Sequence, residues 1–157
     1  MTFRPIKLKK LLFCLFTPLI LGVLSFLTAP GLKDVYLALN KPPLSPPPLL
    51  FSIVWPILYL MIGVSWYLIA DSDSRRKKDA LFPFYIQLAL NFLWIPLFFG
   101  LKLFWAALAE LILLWGFTVI TMVKFKRIEE LAGTLLLPYI VWMSYAIYLN
   151  LGVCLLN

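Results

Sequence analysis

Five long apolar blocks, residues 11–29, 48–70, 80–101, 104–123 and 131–156, alternate with short polar breaks along the chain. The breaks are a proline-rich stretch at 30–47, a charged run from Asp71 to Asp79, a turn around Lys102, and the segment Lys124 to Glu130. A tilted helix needs roughly 17–25 apolar residues to cross a bilayer, so each block predicts one span. None of the breaks is long enough for a domain of its own. The expected fold is an all-α integral membrane protein, a single domain over 1–157 built as a bundle of five transmembrane helices. The first block follows Arg4, Lys7, Lys9 and Lys10, as a secretory signal would. It exceeds an h-region of about 7–15 residues and lacks an Ala-x-Ala site, so it reads as an uncleaved helix.

Polar residues inside the blocks carry the most information, because a polar group in hydrocarbon must find a partner or face a cavity. Gln87, Asn91 and Trp94 recur at i, i+4, i+7 on the third block, and Tyr139, Trp142, Ala146 and Asn150 share roughly one face of the fifth. Each amide alone reads as interhelical glue worth about 1 kcal/mol. Their depth adds a second meaning: Trp55, Asn91, Trp94, Glu110, Trp142 and Asn150 all fall in the middle or in the half nearer the proline-rich loop. That distribution predicts an apolar, aromatic pocket with a few orienting polar groups beneath that loop. Glu110 is expected to be protonated, paired with an amide, or tilted toward the interface. Trp66, Tyr67, Trp105 and Tyr148, near block ends, read as interfacial belt residues, and Trp115 as helix packing. Pro56 and Pro96 inside blocks two and three each free a backbone carbonyl and bend the helix.

Loop 30–47, with Pro48 beside it, holds half of the 12 prolines, and the run Asn40 to Pro48 predicts a stiff, extended segment. It serves equally well as a lid or as a rigid connector.

Composition narrows the function. The chain is 63% apolar and 13% charged with mean hydropathy +0.96, which excludes a soluble globule. It has no histidine, so a Ser-His-Asp triad, a His-ligated metal and an imidazole proton shuttle are all excluded. No metal site and no tightly held cofactor are expected. Cys14 and Cys154 stand far apart in apolar runs and read as buried hydrophobes. Of the 14 basic residues, all but Lys33, Lys41 and Lys102 fall on the side of the N-terminus if the spans alternate. The positive-inside rule then puts the N-terminus in the cytoplasm and the C-terminus outside, and fits a bacterial cytoplasmic membrane. The net charge of +7 is thereby accounted for by helix ends that meet anionic headgroups, and nucleic acid is not an expected partner.

An ordered set of motifs runs through residues 30–150: Asn40-Lys41-Pro42-Pro43, Pro46-Pro47, Val54-Trp55, Leu58-Tyr59, Gln87-Leu88-Ala89-Leu90-Asn91, Trp94, Phe98-Phe99-Gly100, Pro138-Tyr139-Ile140-Val141-Trp142, Ala146 and Leu149-Asn150. The set closely resembles the tryptophan-rich sensory protein / translocator protein family, also called the peripheral-type benzodiazepine receptor. That resemblance implies a five-helix bundle, commonly a homodimer, binding porphyrins such as protoporphyrin IX in a pocket under the first loop. It implies pocket positions at Trp55, Asn91, Trp94, Trp142 and Ala146, with Lys41, Pro42, Pro43 and Pro47 as the lid. Tyr139 and Asn150 join them as candidate ligand contacts. It also implies, for some members, light- and oxygen-dependent porphyrin breakdown, in which Trp55 and Trp142 would be the reacting indoles. The chain departs from the pattern at Val35-Tyr36 and Pro43-Leu44, where loop indoles are missing, and at Ala106, with Trp105 displaced by one. No Lys or Arg follows Arg127, so a sterol partner is not expected.

Three functions compete. The first is a ligand-binding membrane protein in tetrapyrrole sensing, transport or regulation, the ring stacking on Trp55 and Trp142 with its acidic groups toward Lys41 or interfacial amides. The second is a porphyrin-degrading photo-oxidase. The third is a passive structural or transport subunit, although the chain shows no internal repeat of the kind secondary transporters use.

Overall fold

The computed structural model describes residues 6–157, which form helices α1 (Leu8–Leu27), α2 (Leu32–Ala38), α3 (Pro48–Ala70), α4 (Lys77–Ile95), α5 (Phe104–Lys126), α6 (Glu130–Thr134) and α7 (Leu137–Leu156). A π-helical turn, Pro96–Gly100, extends α4. Five stretches are long and apolar enough to cross a membrane: α1, α3, α4 with its π turn, α5, and α6 with α7. Around the bundle the spans follow the order α3, α1, α4, α5, α7, with α6 closing back onto α3.

Two features depart from the sequence reading. Within 30–47, residues 32–38 form α2 rather than loop, and the fifth block breaks at Leu135 and Leu136 into α6 and α7. Gly31, at φ 79°, turns the chain into α2 from the end of α1.

The prolines inside the spans mark where helices meet. Pro96 has no N–H for the carbonyl of Phe92, and buried Ser25 of α1 donates its hydroxyl to that oxygen at 2.6 Å. Pro83 leaves the carbonyl of Asp79 in the same state, and Lys124 Nζ of α5 reaches it at 3.3 Å. Pro18 frees the carbonyl of Cys14, and there Gly63 of α3 comes so close that a Cβ would lie 2.7 Å from that oxygen and 2.8 Å from Leu15 Cα. Only glycine fits this crossing of α1 and α3.

The packed core lies away from loop 28–47. Trp66 is 6% exposed and contacts Phe13, Phe84 and Tyr85, while Phe84 stacks on Phe125 with ring centroids 5.6 Å apart. Trp66 is therefore a core residue and not a belt residue, because α1, α3, α4 and α5 converge there. Lys7 and Lys10 at the start of α1 both reach Asp71 after α3, at 2.8 and 3.2 Å, and Lys124 pairs with Asp79 at 2.9 Å. This end is closed by aromatic packing and charge, and the opposite end is hollow.

Candidate ligand-binding cavity

A cavity of about 590 Å³ opens beneath loop 28–47, walled by α1, α2, α3, α4, α5 and α7. Its volume lies within the roughly 300–1,000 Å³ usual for small-molecule sites. Trp55 forms one wall, its ring 5.4 Å from Tyr59 and 6.2 Å from Tyr139. Trp94 forms another, stacked on Phe98 at 5.1 Å, with Ala146 and Met143 facing in from α7.

The deep polar groups are bound to protein. Asn91 accepts from Tyr59 Oη at 2.8 Å and donates to Tyr139 Oη at 2.6 Å, tying α3, α4 and α7 together. Asn150 accepts from Trp94 Nε1 at 3.3 Å and donates to the carbonyl of Phe104 at 3.0 Å, which joins α7 to α4 and α5. Both amides thus act as glue while lining the cavity. Gln87 does not: it is 1% exposed, and among the described residues neither its amide oxygen nor its nitrogen has a partner. Glu110 is likewise buried, with no amide or other hydrogen-bond partner on either carboxyl oxygen among those residues.

The lid is a built object. Lys41 Nζ donates to the carbonyls of Tyr36 and Leu39, each at 2.9 Å, and lies 5.0 Å from the Tyr36 ring, capping the C-terminal end of α2. Tyr36 Oη donates to the carbonyl of Pro46 at 2.6 Å, and burial pushes this phenol above its ordinary value, so it stays a donor. From α7, Tyr148 Oη donates to Pro43 at 2.8 Å and Tyr145 Oη to Leu44, whose φ of 67° is a left-handed conformation unusual for leucine. Asn157 exchanges two hydrogen bonds with the backbone of Asn40. Gly152 lets Pro42 rest against α7, since a Cβ there would fall 2.4 Å from the proline ring. Tyr148 is consequently a lid contact.

Of the residues read from the sequence as ligand contacts, Lys41, Pro42, Trp55, Asn91, Trp94, Ala146 and Asn150 line this cavity. Pro43 and Pro47 sit on the outer surface of the lid, and Tyr139, fully buried, supports Trp55 and Asn91 from behind. Trp142 stands behind Phe51, 5.8 Å away and edge-on, and lines instead a shallow groove between α3 and α7. Phe51, itself a lining residue, covers that indole, although Ala146 one turn further along α7 shares its helix face.

These positions, spaced as they are over five spans, are matched by a sequence model described as the TspO/MBR family over residues 13–156. The chain belongs to the TspO/MBR family. It is 39% identical over 124 residues to the tryptophan-rich protein TspO of Chlorobaculum tepidum, covering 78% of each chain. It is 36% identical to the tryptophan-rich sensory protein of Cereibacter sphaeroides, over 76% of this chain and 74% of that one. With the translocator protein of Ovis aries it shares 36% identity over 73% and 70% of the two. As a TspO/MBR member with five apolar spans, it is an integral membrane protein.

The cavity also contains residues that the sequence reading passed over: Lys33 and Tyr36 of α2, Phe51, Ser52 and Tyr59 of α3, and Met143 of α7. Ser52 and Tyr59 stand at i−3 and i+4 from Trp55, a signal that was available. Lys33 and Tyr36 give none, because seven residues beside a proline run carry no clear helical period.

Proposed function

We propose that this TspO/MBR member is a membrane receptor for a flat, conjugated, largely apolar ligand of the protoporphyrin IX type, acting in tetrapyrrole sensing, transport or regulation. The supporting observation is the cavity itself, about 590 Å³ and walled by Trp55, Trp94 and Phe98. The names sensory protein and translocator protein, carried by relatives, agree with a binding role. A binding protein is favoured over a photo-oxidase because only Trp55, of the two indoles a photo-oxidase would use, borders the cavity. No metal ligand enters this reading.

The test is a dark titration of the purified protein with protoporphyrin IX, followed by tryptophan quenching and the porphyrin absorption shift. Saturable binding is expected, weakened by Trp55→Leu, which removes a wall, and by Ala146→Phe, which fills the space. Binding that neither substitution changes, or no saturable binding, would overturn the assignment. Illumination of the complex is expected to yield no product beyond that of free porphyrin in empty detergent.

The receptor is further proposed to lie in a bacterial cytoplasmic membrane with its lid outside, on the strength of the lysines and arginines gathered at the opposite end. With Cys14 and Cys154 replaced by alanine, Pro43→Cys should react with an impermeant maleimide on intact cells, and Asp73→Cys only after lysis. The reverse pattern would invert the topology.

A further inference from the structure

Most of the polar side chains lining the cavity are engaged by protein. Tyr36, Lys41, Ser45, Tyr59, Asn91, Trp94 and Asn150 all hold the hydrogen bonds that build the lid or join the helices. Lys33, Ser52 and Trp55 line the same cavity and, among the described residues, have no hydrogen bond or ion pair. Lys33 and Ser52 are exposed, and Trp55 Nε1, unlike the sealed Nε1 of Trp142, is accessible.

The three share a location and a chemistry. Ser52 and Trp55 are separated by three positions, which places them on one face of α3, within the two turns that begin at the lid. Lys33 faces the cavity from α2, which forms part of the lid. An ammonium and an indole N–H only donate, and a serine hydroxyl turns to donate as required. The neighbouring acidic residue, Asp34, is exposed and does not line the cavity. Lys41, the cation that the sequence reading put forward for this purpose, is occupied by the carbonyls of α2.

We propose that Lys33, Ser52 and Trp55 form a carboxylate subsite at the mouth of the cavity, so that the ligand is an amphipathic acid whose flat apolar body lies inward and whose carboxylate meets these donors. This rests on the reading of the cavity as the ligand site, and it assigns the ligand's acidic group to residues that reading does not name. Charge-assisted hydrogen bonds to a carboxylate are roughly twice as strong as neutral ones, so an ester, which keeps the ring and loses the charge, should be discriminated against.

The experiment compares protoporphyrin IX with its dimethyl ester, and pyrenebutyrate with its methyl ester, by dark tryptophan quenching in wild type, Lys33→Met, Lys33→Arg and Ser52→Ala. The acids are expected to bind about ten-fold more tightly than the esters in wild type. Lys33→Met should abolish that preference by weakening the acid and leaving the ester unchanged. Lys33→Arg should retain it and Ser52→Ala reduce it. If the porphyrins fail to bind while pyrenebutyrate shows the acid preference, the subsite stands and the porphyrin assignment falls. Equal affinity for acid and ester in both pairs, a preference that survives Lys33→Met, or failure of both acids to bind overturns the subsite.

Discussion

Asn91 and Gln87 lie one helical turn apart on α4, both buried, yet they do opposite things energetically. Asn91 satisfies two buried phenols, Tyr59 and Tyr139. Replacing it with leucine removes both bonds, and a buried group left unpaired costs about 1–3 kcal/mol. Asn91→Leu is therefore expected to lower the unfolding midpoint in detergent by several degrees. Gln87 has no partner among the described residues for either polar atom, so Gln87→Leu removes a desolvated amide without breaking a bond. It is expected to leave the midpoint unchanged or raise it, in the same melt. The spacing in the sequence made both amides visible as buried polar groups of one face. It carried no information about which of them meets a tyrosine, because that depends on the rotation of α3 and α7 against α4. The same limit applies to Trp115, read as plain packing, whose Nε1 donates to Ser144 at 2.9 Å across α5 and α7. Trp142 shows it once more: its period matches the cavity face, but Phe51 of α3 packs over its indole.

At the scale of elements, the lid stands on tyrosines more than on prolines. Prolines stiffen residues 42–48, but stiffness alone does not fix a segment to the bundle, and the fastening comes from Tyr36 beneath, from Tyr145 and Tyr148 on α7, and from Asn157 just after it. Pro43, Leu44 and Pro46 offer carbonyls because no regular ladder uses them, so each is an open acceptor for a phenol. The double substitution Tyr145→Phe/Tyr148→Phe keeps both rings and deletes two such bonds, a loss of roughly 1–3 kcal/mol. Amide exchange across residues 32–45 should accelerate in this variant while that of α3 is unchanged, as read by mass spectrometry of the corresponding peptides. Gly152→Ala should do the same by a different route, since its Cβ would enter the Pro42 ring. Exchange that does not change in either variant would mean the lid is held by its own stiffness. The five spans were legible from apolar block lengths, which depend on bilayer thickness and little else. Residues 32–38 were not, since seven residues beside a proline run give no clear helical period, and their helix is completed by Lys41 bonding back onto Tyr36 and Leu39.

The whole molecule is asymmetric from end to end, and the two ends should respond to different conditions. The hollow end is closed by hydrogen bonds with no ion pair among the described residues, whereas the packed end is tied by charge: Lys7 and Lys10 to Asp71, and Lys124 to Asp79. Hydrogen bonding from Lys7, and then from Lys10, holds the Asp71 carboxyl below its ordinary value despite partial desolvation, and the bond to Asp71 raises Lys7. A carboxylate whose folded value is depressed contributes stability that is fully present above its unfolded value of about 4 and is lost as pH falls through the folded value. Lys7 contributes in the other direction, below the usual lysine value near 10.4, and its share is lost as pH rises through the raised one. The tether between α1 and α3 should accordingly be constant across neutral pH. Comparing wild type with Asp71→Asn by thermal unfolding, a small difference is expected at pH 6–8 that is lost as pH falls below the ordinary carboxylate range. It should also shrink in about 1 M salt, where the screening length falls to roughly 3 Å and the exposed lysine partners are shielded. A difference that persisted in acid and in salt would assign the effect of Asp71 to packing at the end of α3, and the charge asymmetry read from the sequence would then concern insertion into the membrane alone.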